Sequence, residues 1–469
     1  MKKLLSLIVL LPTISFANLQ ATIDKKISVD LPNARVGVIV TNLKTGKVVY
    51  QHDANYLFTP ASLLKLYPAM AALIKLGPDF HYQTQLMAAQ NKIHGSTIDS
   101  NLAYKFSYDP TLSAANIQSL IVALKTKGID VINGNLYIGT TKNFESPYPP
   151  GRIWDDLSYS YGAPISNIII NENKWQLGFL PGNIGGPAKL TPEPNLGVVK
   201  LINNTVTTKT YIKDCPIRIY TYAPNSYVVS GCVPQMGGKQ YRDLAYNYPA
   251  SVVQSMVVND LKAAQIKING QVLILPDPYY SYEISHVDSE PLHEIINYML
   301  HKSDNIYADS LPMTILMNGR TNVQQPGASY WSSSVKAMQA VLATSVGLDP
   351  KAVRITDGSG LSRYDLVAPR DINKILLYGF NNQSIWKWWI DSLPIAGETG
   401  TLQYRPELSL YRVHAKTGSM AGVNGLAGYM QNKNGQKNSF VIMINGLIAN
   451  KATTHKAEKD ILQSVYAAS

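Results

Sequence analysis

Cysteine is nearly absent, with only Cys215 and Cys232 in 469 residues. Two cysteines exclude a thiolate metal framework and a disulfide-dense scaffold. They are separated by a Tyr- and Val-rich stretch that reads as two strands around an Asn225 turn, and one disulfide closing that hairpin is expected. Histidine is also scarce, at 8 residues with no ligand-like spacing, which argues against a metal-dependent hydrolase. Charged residues make up only 16% of the chain against 45% hydrophobic, which excludes disorder and provides material for more than one core. The net charge is +11, but the excess is scattered and no run of Lys and Arg marks a nucleic-acid groove. Such a charge suits weak attraction to an anionic polymer or surface.

Long apolar runs are missing except for Leu4 to Phe16, which follows Lys2-Lys3 and precedes Ala17. That run is short for a bilayer span and has the parts of a secretory signal, with cleavage expected after Ala17. Export through residues 1–17 places the remainder in the periplasm, at most loosely associated with a membrane, with a net charge of about +9 once Lys2 and Lys3 are removed.

What is present is organised in three stretches. Arg35 to Leu43 and Val48 to Gln51 flank a Lys44-Thr45-Gly46 turn and form a hairpin. It leads into Thr59-Pro60-Ala61-Ser62, where Thr59 is expected to cap a helix and Pro68 to kink it. From about Gln85 to Tyr280 the texture changes to short strands rich in Tyr, Pro and Gly. Within it Leu124 to Leu136 resembles Leu261 to Val272, as though one helix-to-strand unit were used twice. Helical periodicity returns at Leu292. The last quarter reads as a three-stranded antiparallel meander closed by a helix, and with the first hairpin it forms one five-stranded sheet.

Ser62 and Lys65 stand one helical turn apart. Serine needs a base within hydrogen-bond reach, and a lysine serves only when burial or a second cation lowers its pKa. The same spacing recurs at Ser333/Lys336 and Ser384/Lys387, which read better as a solvated face and a Trp-rich packing segment. Ser62 is distinguished by two motifs downstream of it: a lone Ser303-Asp304-Asn305 beside a helix, then Lys416-Thr417-Gly418 on a strand. In this arrangement Ser62 attacks, Lys65 takes its proton, Ser303 relays a proton to the leaving amine, and Asn305 orients Lys65. Lys416, Thr417 and Gly418 bind a terminal carboxylate, with Lys416 also depressing the Lys65 pKa. Backbone N–H groups of Ser62 and Ser419 form the oxyanion hole. His414 reads as a packed strand residue.

The three motifs, with Pro149 to Leu157, Asp357 to Arg363, Ser392 to Gly397 and Gly400 to Leu402, resemble the penicillin-binding proteins. More narrowly the chain is similar to the penicillin-binding protein 4 type of D-alanyl-D-alanine carboxypeptidase/endopeptidase. The resemblance implies a multidomain α/β (α+β) fold, with a transpeptidase domain whose five-stranded sheet is flanked by helices. That domain is expected at residues 18–85 and 282–469, an inserted second domain at 86–110 and 183–281, and a third at 111–182. It also implies that Asp156, Tyr161 and Arg363 overhang the site and read the diamino acid of a wall peptide. Read as residues alone, Asp156 caps a helix and Arg363 pairs with Asp357 or Asp365. Ala421 stands where some relatives carry a polar side chain. The implied partners are peptidoglycan peptides and β-lactams, with no cofactor and no nucleic acid; a homodimer is left open. A serine β-lactamase is the rival enzyme, lacking here its usual Glu-x-x-Leu-Asn segment, and a non-catalytic wall-binding protein is the rival of another class.

Overall fold

The structure is a computed structural model that describes residues 14–468, apart from 89–91, 142–145, 277, 279, 320–328 and 449–450. Most of the expected export signal lies outside the described residues. The helix Ile14–Asp30 begins within its last four positions. No helix among the described residues is long and apolar enough to cross a membrane.

The expected five-stranded sheet forms, in the order His414–Met420, Val423–Gln431, Lys437–Asn445, Arg35–Asn42, Val48–His52, every neighbour antiparallel. Its middle strands carry apolar residues at successive positions because both faces are covered, and Phe440 to Ile444 are all fully buried. One face packs on Ile14–Asp30 and the C-terminal helix Lys451–Ala467, through Ile23, Val38, Ile442 and Ile461. The other packs on the helical part of the molecule, through Ile39, Val441, Met70 and Ile375. The hairpin's Lys44-Thr45-Gly46 is a plain exposed turn, held by the N–H groups of Lys44 and Thr45 on Asn42 Oδ1, each at 3.0 Å.

Two expectations about the following helix are corrected. Thr59 does not cap it: Pro60 is the capping residue, with no side-chain bond, and Ala61–Lys65 is a 3₁₀ segment entered through Ala61 at φ 46°. Regular α-helix starts only at Leu66, so Pro68 falls in its first turn, where a proline is tolerated.

In the insertion, the two similar segments lie side by side. Lys267 and Ile268 pair in parallel with Val131 and Ile132, and Val272–Pro276 with Leu136–Thr140. A third tier lies beneath them: Thr97 and Ile98 pair with Val131 and Ile132, and Leu102 with Leu136. The turns stack as Ile98-Asp99-Ser100-Asn101-Leu102, Ile132-Asn133-Gly134-Asn135-Leu136 and Ile268-Asn269-Gly270-Gln271-Val272. Side chains tie the tiers together: Asn269 Nδ2 donates to Asn133 Oδ1 at 2.6 Å, and Asn133 Nδ2 donates to Asp99. Glycine is required in the upper two tiers. A Cβ on Gly270 would lie 2.4 Å from the Gly134 carbonyl oxygen, and one on Gly134 2.4 Å from that of Ser100. Gly270→Ala is expected to cost about 1–3 kcal/mol in thermal or urea unfolding, because a backbone oxygen cannot yield as a side chain does.

This pairing redraws the interior of the insertion. Leu136–Thr140 shares a sheet with Leu102–Lys105 and Val272–Pro276, and the helix Ala114–Thr126 packs on Pro249–Ala263. A boundary at residue 111 would cut that unit, so 111–182 is not a separate layer. The nested part is instead built from strands between Lys174 and Ala245, in two three-stranded sheets. One of them contains Arg218–Ala223 and Ser226–Pro234, antiparallel around Asn225. The expected Cys215–Cys232 disulfide is present there, with the Cα atoms 5.4 Å apart.

Candidate active site

Three chain segments meet at Ser62. The 3₁₀ segment carries Ser62 and Lys65 under the edge strand His414–Met420, and Gly418 permits the approach: a Cβ there would sit 2.9 Å from the Pro60 carbonyl oxygen. The third segment is the break between the helices Leu292–Lys302 and Asn305–Asn318. Ser303 ends the first helix at φ 58°, and Asp304 begins the second by accepting from the N–H groups of Ile306 and Tyr307 at 2.9 and 3.1 Å. The reversal turns Ser303 and Asn305 into the same cleft.

Lys65 Nζ lies 2.9 Å from Ser62 Oγ, 2.6 Å from Asn305 Oδ1 and 2.8 Å from the Ser359 carbonyl oxygen. Its complete burial pushes the ammonium pKa down to about 8, against the opposing pull of Asp309, Asp357 and Asp304. Lys416 Nζ donates to Ser303 Oγ and to the Thr417 carbonyl, both at 2.8 Å. Lys416 and Lys65 are two buried cations that repel each other. Lys416 is held well below its usual value by burial and by the Lys65 charge, and Arg152 is a further cation that lowers Lys65.

Thr417 Oγ1 bonds Thr401 Oγ1 at 2.8 Å, and Gly418 and Ser419 continue the open edge of the strand. Asn305 Nδ2 donates to the Tyr161 carbonyl oxygen at 2.8 Å, and the Tyr161 hydroxyl donates to Asp156 Oδ1 at 2.9 Å. Asp156 therefore caps nothing; it closes a short 3₁₀ turn, Trp154–Asp156, at the rim of the cleft. Arg363 pairs with neither Asp357 nor Asp365 but donates to the Ala421 carbonyl oxygen at 2.9 Å. The cleft has two lobes that share Ser62, Ser303 and Ser419. One of about 500 Å³ is lined by Asp156, Tyr161, Asn305, Arg363 and Ala421, the other of about 350 Å³ by Thr401, Tyr404, Thr417, Asn424 and Glu458.

The other Ser-x-x-Lys pairs stand elsewhere. Ser333 is buried on the helix Tyr330–Val346 with Lys336 exposed, and Ser384 bonds its own cap Asn382 while Lys387 pairs with Asp391 at 2.8 Å. His414, in the strand beside Tyr429, is held low by burial. No group of three metal-ligating side chains occurs among the described residues.

A model of the D-Ala-D-Ala carboxypeptidase 3 (S13) family matches residues 18–466. The chain belongs to that family. Among curated proteins, a D-alanyl-D-alanine carboxypeptidase of Haemophilus influenzae is 29% identical over 94% of this chain and 91% of its own. The crystal structure of penicillin binding protein 4 from the same organism superposes with a TM-score of 0.85 at 28% identity, covering 95% of this chain and 99% of that one. The same protein complexed with a β-lactam gives 0.82 at 26% identity, over 95% of this chain and 99% of that one. This S13 member is accordingly a serine-peptidase hydrolase with D-Ala-D-Ala carboxypeptidase function.

Beneath the expected residues lies a group that sequence reasoning did not assign. Arg152 of the insertion donates through Nη2 to Asp309, to Ser359 Oγ at 3.0 Å, and pairs with Asp357 at 3.2 Å. Burial raises Asp309 to about 6 despite Arg152; Asp357, equally buried, is held low by Arg152 and by the N–H groups of Gly360 and Ser362. The signal available was that Arg152 and Asp357 sit in the glycine-containing segments Pro149 to Leu157 and Asp357 to Arg363.

Asp304 supplies a stability prediction. Burial, reinforced by Glu172, raises its pKa to about 6, so the unfolded chain ionises first and the buried charge penalises the fold above that pH. Asp304→Asn keeps a competent cap and is expected to stabilise the protein by up to about 3 kcal/mol near neutrality, an advantage that shrinks below about pH 6 and vanishes below about pH 4. Chemical unfolding at several pH values checks it.

Proposed function

We propose that Ser62 is the nucleophile and Lys65 the base of a periplasmic D-Ala-D-Ala carboxypeptidase and DD-endopeptidase that trims peptidoglycan stem peptides and is inhibited by β-lactam acylation. The observation that carries this reading is the 2.9 Å contact between Ser62 Oγ and a buried, pKa-lowered Lys65 amine.

The neutral amine takes the Ser62 hydroxyl proton as Oγ bonds to the carbonyl carbon of the penultimate D-alanine. The N–H groups of Ser62 and Ser419 receive the developing oxyanion. Collapse breaks the C–N bond, and the departing amine takes a proton from Ser303, which Lys416 replenishes at 2.8 Å. Lys65 then releases to solvent the proton it took from Ser62; neutral again, it accepts a proton from the water that attacks the acyl carbonyl and returns it to Ser62 Oγ as the ester C–O bond breaks. Lys416, Thr417 and Gly418 face the terminal carboxylate. Burial and the Lys65 charge hold the Lys416 pKa well below its usual value, and the arriving anion favours its protonated form. Asp156, Tyr161 and Arg363 line the donor lobe, where the third stem residue would lie. The Thr401 and Tyr404 lobe has room for a leaving group larger than alanine, which supports cross-link cleavage alongside carboxypeptidation. Export by the segment ending at Ala17 supplies the compartment in which both the disulfide and the wall are found.

Fluorescent penicillin is expected to label the protein covalently and to leave Ser62→Ala unlabelled; equal labelling of both would sink the assignment. Rapid turnover of the label would mark a β-lactamase instead. Digestion of purified wall fragments, followed by mass spectrometry, should release both free D-alanine and separated dimers. The acylation rate should climb with pH through about 8, as Lys65 loses its proton.

A further inference from the structure

Lys65 has three oxygen neighbours but can take a proton from only one. A neutral primary amine has two N–H bonds and one lone pair. Asn305 Oδ1 and the Ser359 carbonyl oxygen, at 2.6 and 2.8 Å, can only accept, so they occupy the two N–H bonds. The lone pair is left for Ser62. Two oxygens thus set the direction of the base, and the insertion holds both. The Asn305 amide is fixed by its donation to the Tyr161 carbonyl oxygen. Ser359 is fixed through its N–H on Asp309 Oδ1 at 2.9 Å, while its Oγ accepts from Arg152 at 3.0 Å and donates to Asp357 at 3.1 Å. The side chains of Arg152, Asp309 and Asp357 are no more than 3% exposed, so water cannot substitute for the contacts among them and Ser359.

We propose that the inserted segment 152–161 is a positioning element for the base: Arg152, acting through Ser359, and the Tyr161 carbonyl, acting through Asn305, aim the Lys65 lone pair at Ser62. This rests on the reading of Ser62 and Lys65 as nucleophile and base. Arg152 lies beneath the cleft and does not line it, so it acts only through other residues.

The charged groups around Lys65 predict how its loss would be felt. Asp304 and Asp309 face it from the helix Asn305–Asn318 and its cap, and Asp357, with Asp365 behind it, from the loop after Arg354. Lys416 faces it from the edge strand, and Arg152 from the insertion. The Asp365 carboxyl is held well above its usual range by burial and by Asp357. Glu172 acts one step further out, on Asp304. Removing Arg152 takes away a positive charge that opposes protonation of Lys65, which favours the Lys65 ammonium. The base would then be both misaimed and protonated to higher pH.

The test is the acylation time course with fluorescent penicillin between about pH 6 and 10, for the full chain and for Arg152→Met, Arg152→Lys and Ser359→Ala. Arg152→Met is expected to slow the acylation step about ten-fold or more at neutral pH, with initial binding altered less than about three-fold, and to move the acid limb up by about one pH unit. Arg152→Lys should recover part of the rate, and Ser359→Ala should show a smaller loss in the same direction. An acid limb and acylation step in Arg152→Met that match the parent overturn the proposal. Where that variant does not fold, an unchanged Ser359→Ala does the same. Ser62→Ala in the same assay separates the two readings: if it stays unlabelled while the Arg152 and Ser359 variants are normal, only the positioning role falls.

Discussion

Lys65→Met is expected to slow acylation by penicillin about 10²–10⁴-fold, the contribution usual for a positioned general base. Methionine fills nearly the same volume without an ionisable group, so loss of rate would not be loss of packing. The variant also carries a stability signature. The folded pKa of Lys65 is lowered to about 8 from 10.5, so between those values the unfolded chain holds a proton that the folded chain has released. Stability from this residue therefore rises with pH across that window and is absent below it, by up to about 3 kcal/mol. Lys65→Met should lose this part of the alkaline gain and keep the part due to Lys416, whose pKa is also depressed by burial. The methionine leaves Asn305 Oδ1 and the Ser359 carbonyl without a donor, at a cost of about 1–3 kcal/mol each at every pH. Melting temperatures of the two proteins between about pH 7 and 10 separate the terms: the offset reports the orphaned oxygens, and the difference in slope reports the amine.

Gly360→Ala is expected to remove most acylation and to destabilise the fold by about 2–4 kcal/mol. Gly360 has φ +77°, and a Cβ there would fall 1.9 Å from the Ala61 carbonyl oxygen, which belongs to the residue preceding the nucleophile. Ala61 is itself held at φ 46°, so neither backbone has a relaxed position to retreat to. The loop would have to move away from the 3₁₀ segment and carry the Ser359 carbonyl off Lys65. Gly46→Ala is the control. It also has a positive φ, +69°, but nothing lies within 4 Å, so it should cost only about 1 kcal/mol and leave acylation unchanged. Denaturant midpoints and labelling rates of the two variants check the contrast.

The central sheet and the chemical triplet of motifs were legible in the sequence because each is written locally. Alternating and continuous apolar runs mark strands, and Ser62/Lys65, Ser303/Asn305 and Lys416 to Ser419 are short strings in a workable order. What was not legible depends on contacts between distant segments. Thr59 has the chemistry of a cap, but the backbone at Ala61 turns the wrong way for it to act as one. The third tier of the stack was hidden because Ser100 occupies the place that glycine takes in the other two. That tier also explains the misplaced boundary at residue 111, since strand partners are set by pairing and not by where local texture changes. Arg152 escaped because nothing in Pro149-Pro150-Gly151-Arg152 announces that its guanidinium will be buried between carboxylates from two other parts of the chain.

The closure of the central sheet has a consequence for the order in which the molecule is made. Val36 pairs with Ile444, roughly 400 residues later, so the sheet cannot be completed until nearly the whole chain exists. The insertion has all its strands by Asp288 and can fold while the remainder is still being synthesised. Lys416 and the edge strand arrive among the last elements, and the sheet closes only when ends far apart in the chain are joined. The segment bearing Arg152 and Tyr161 is thus in place before the residues it meets. A ribosome-bound chain ending before His414 would carry Ser62 without a finished cleft and should be blind to penicillin. Reactivity would switch on only at completion, so labelling of nascent chains of increasing length would report the moment the last strands dock.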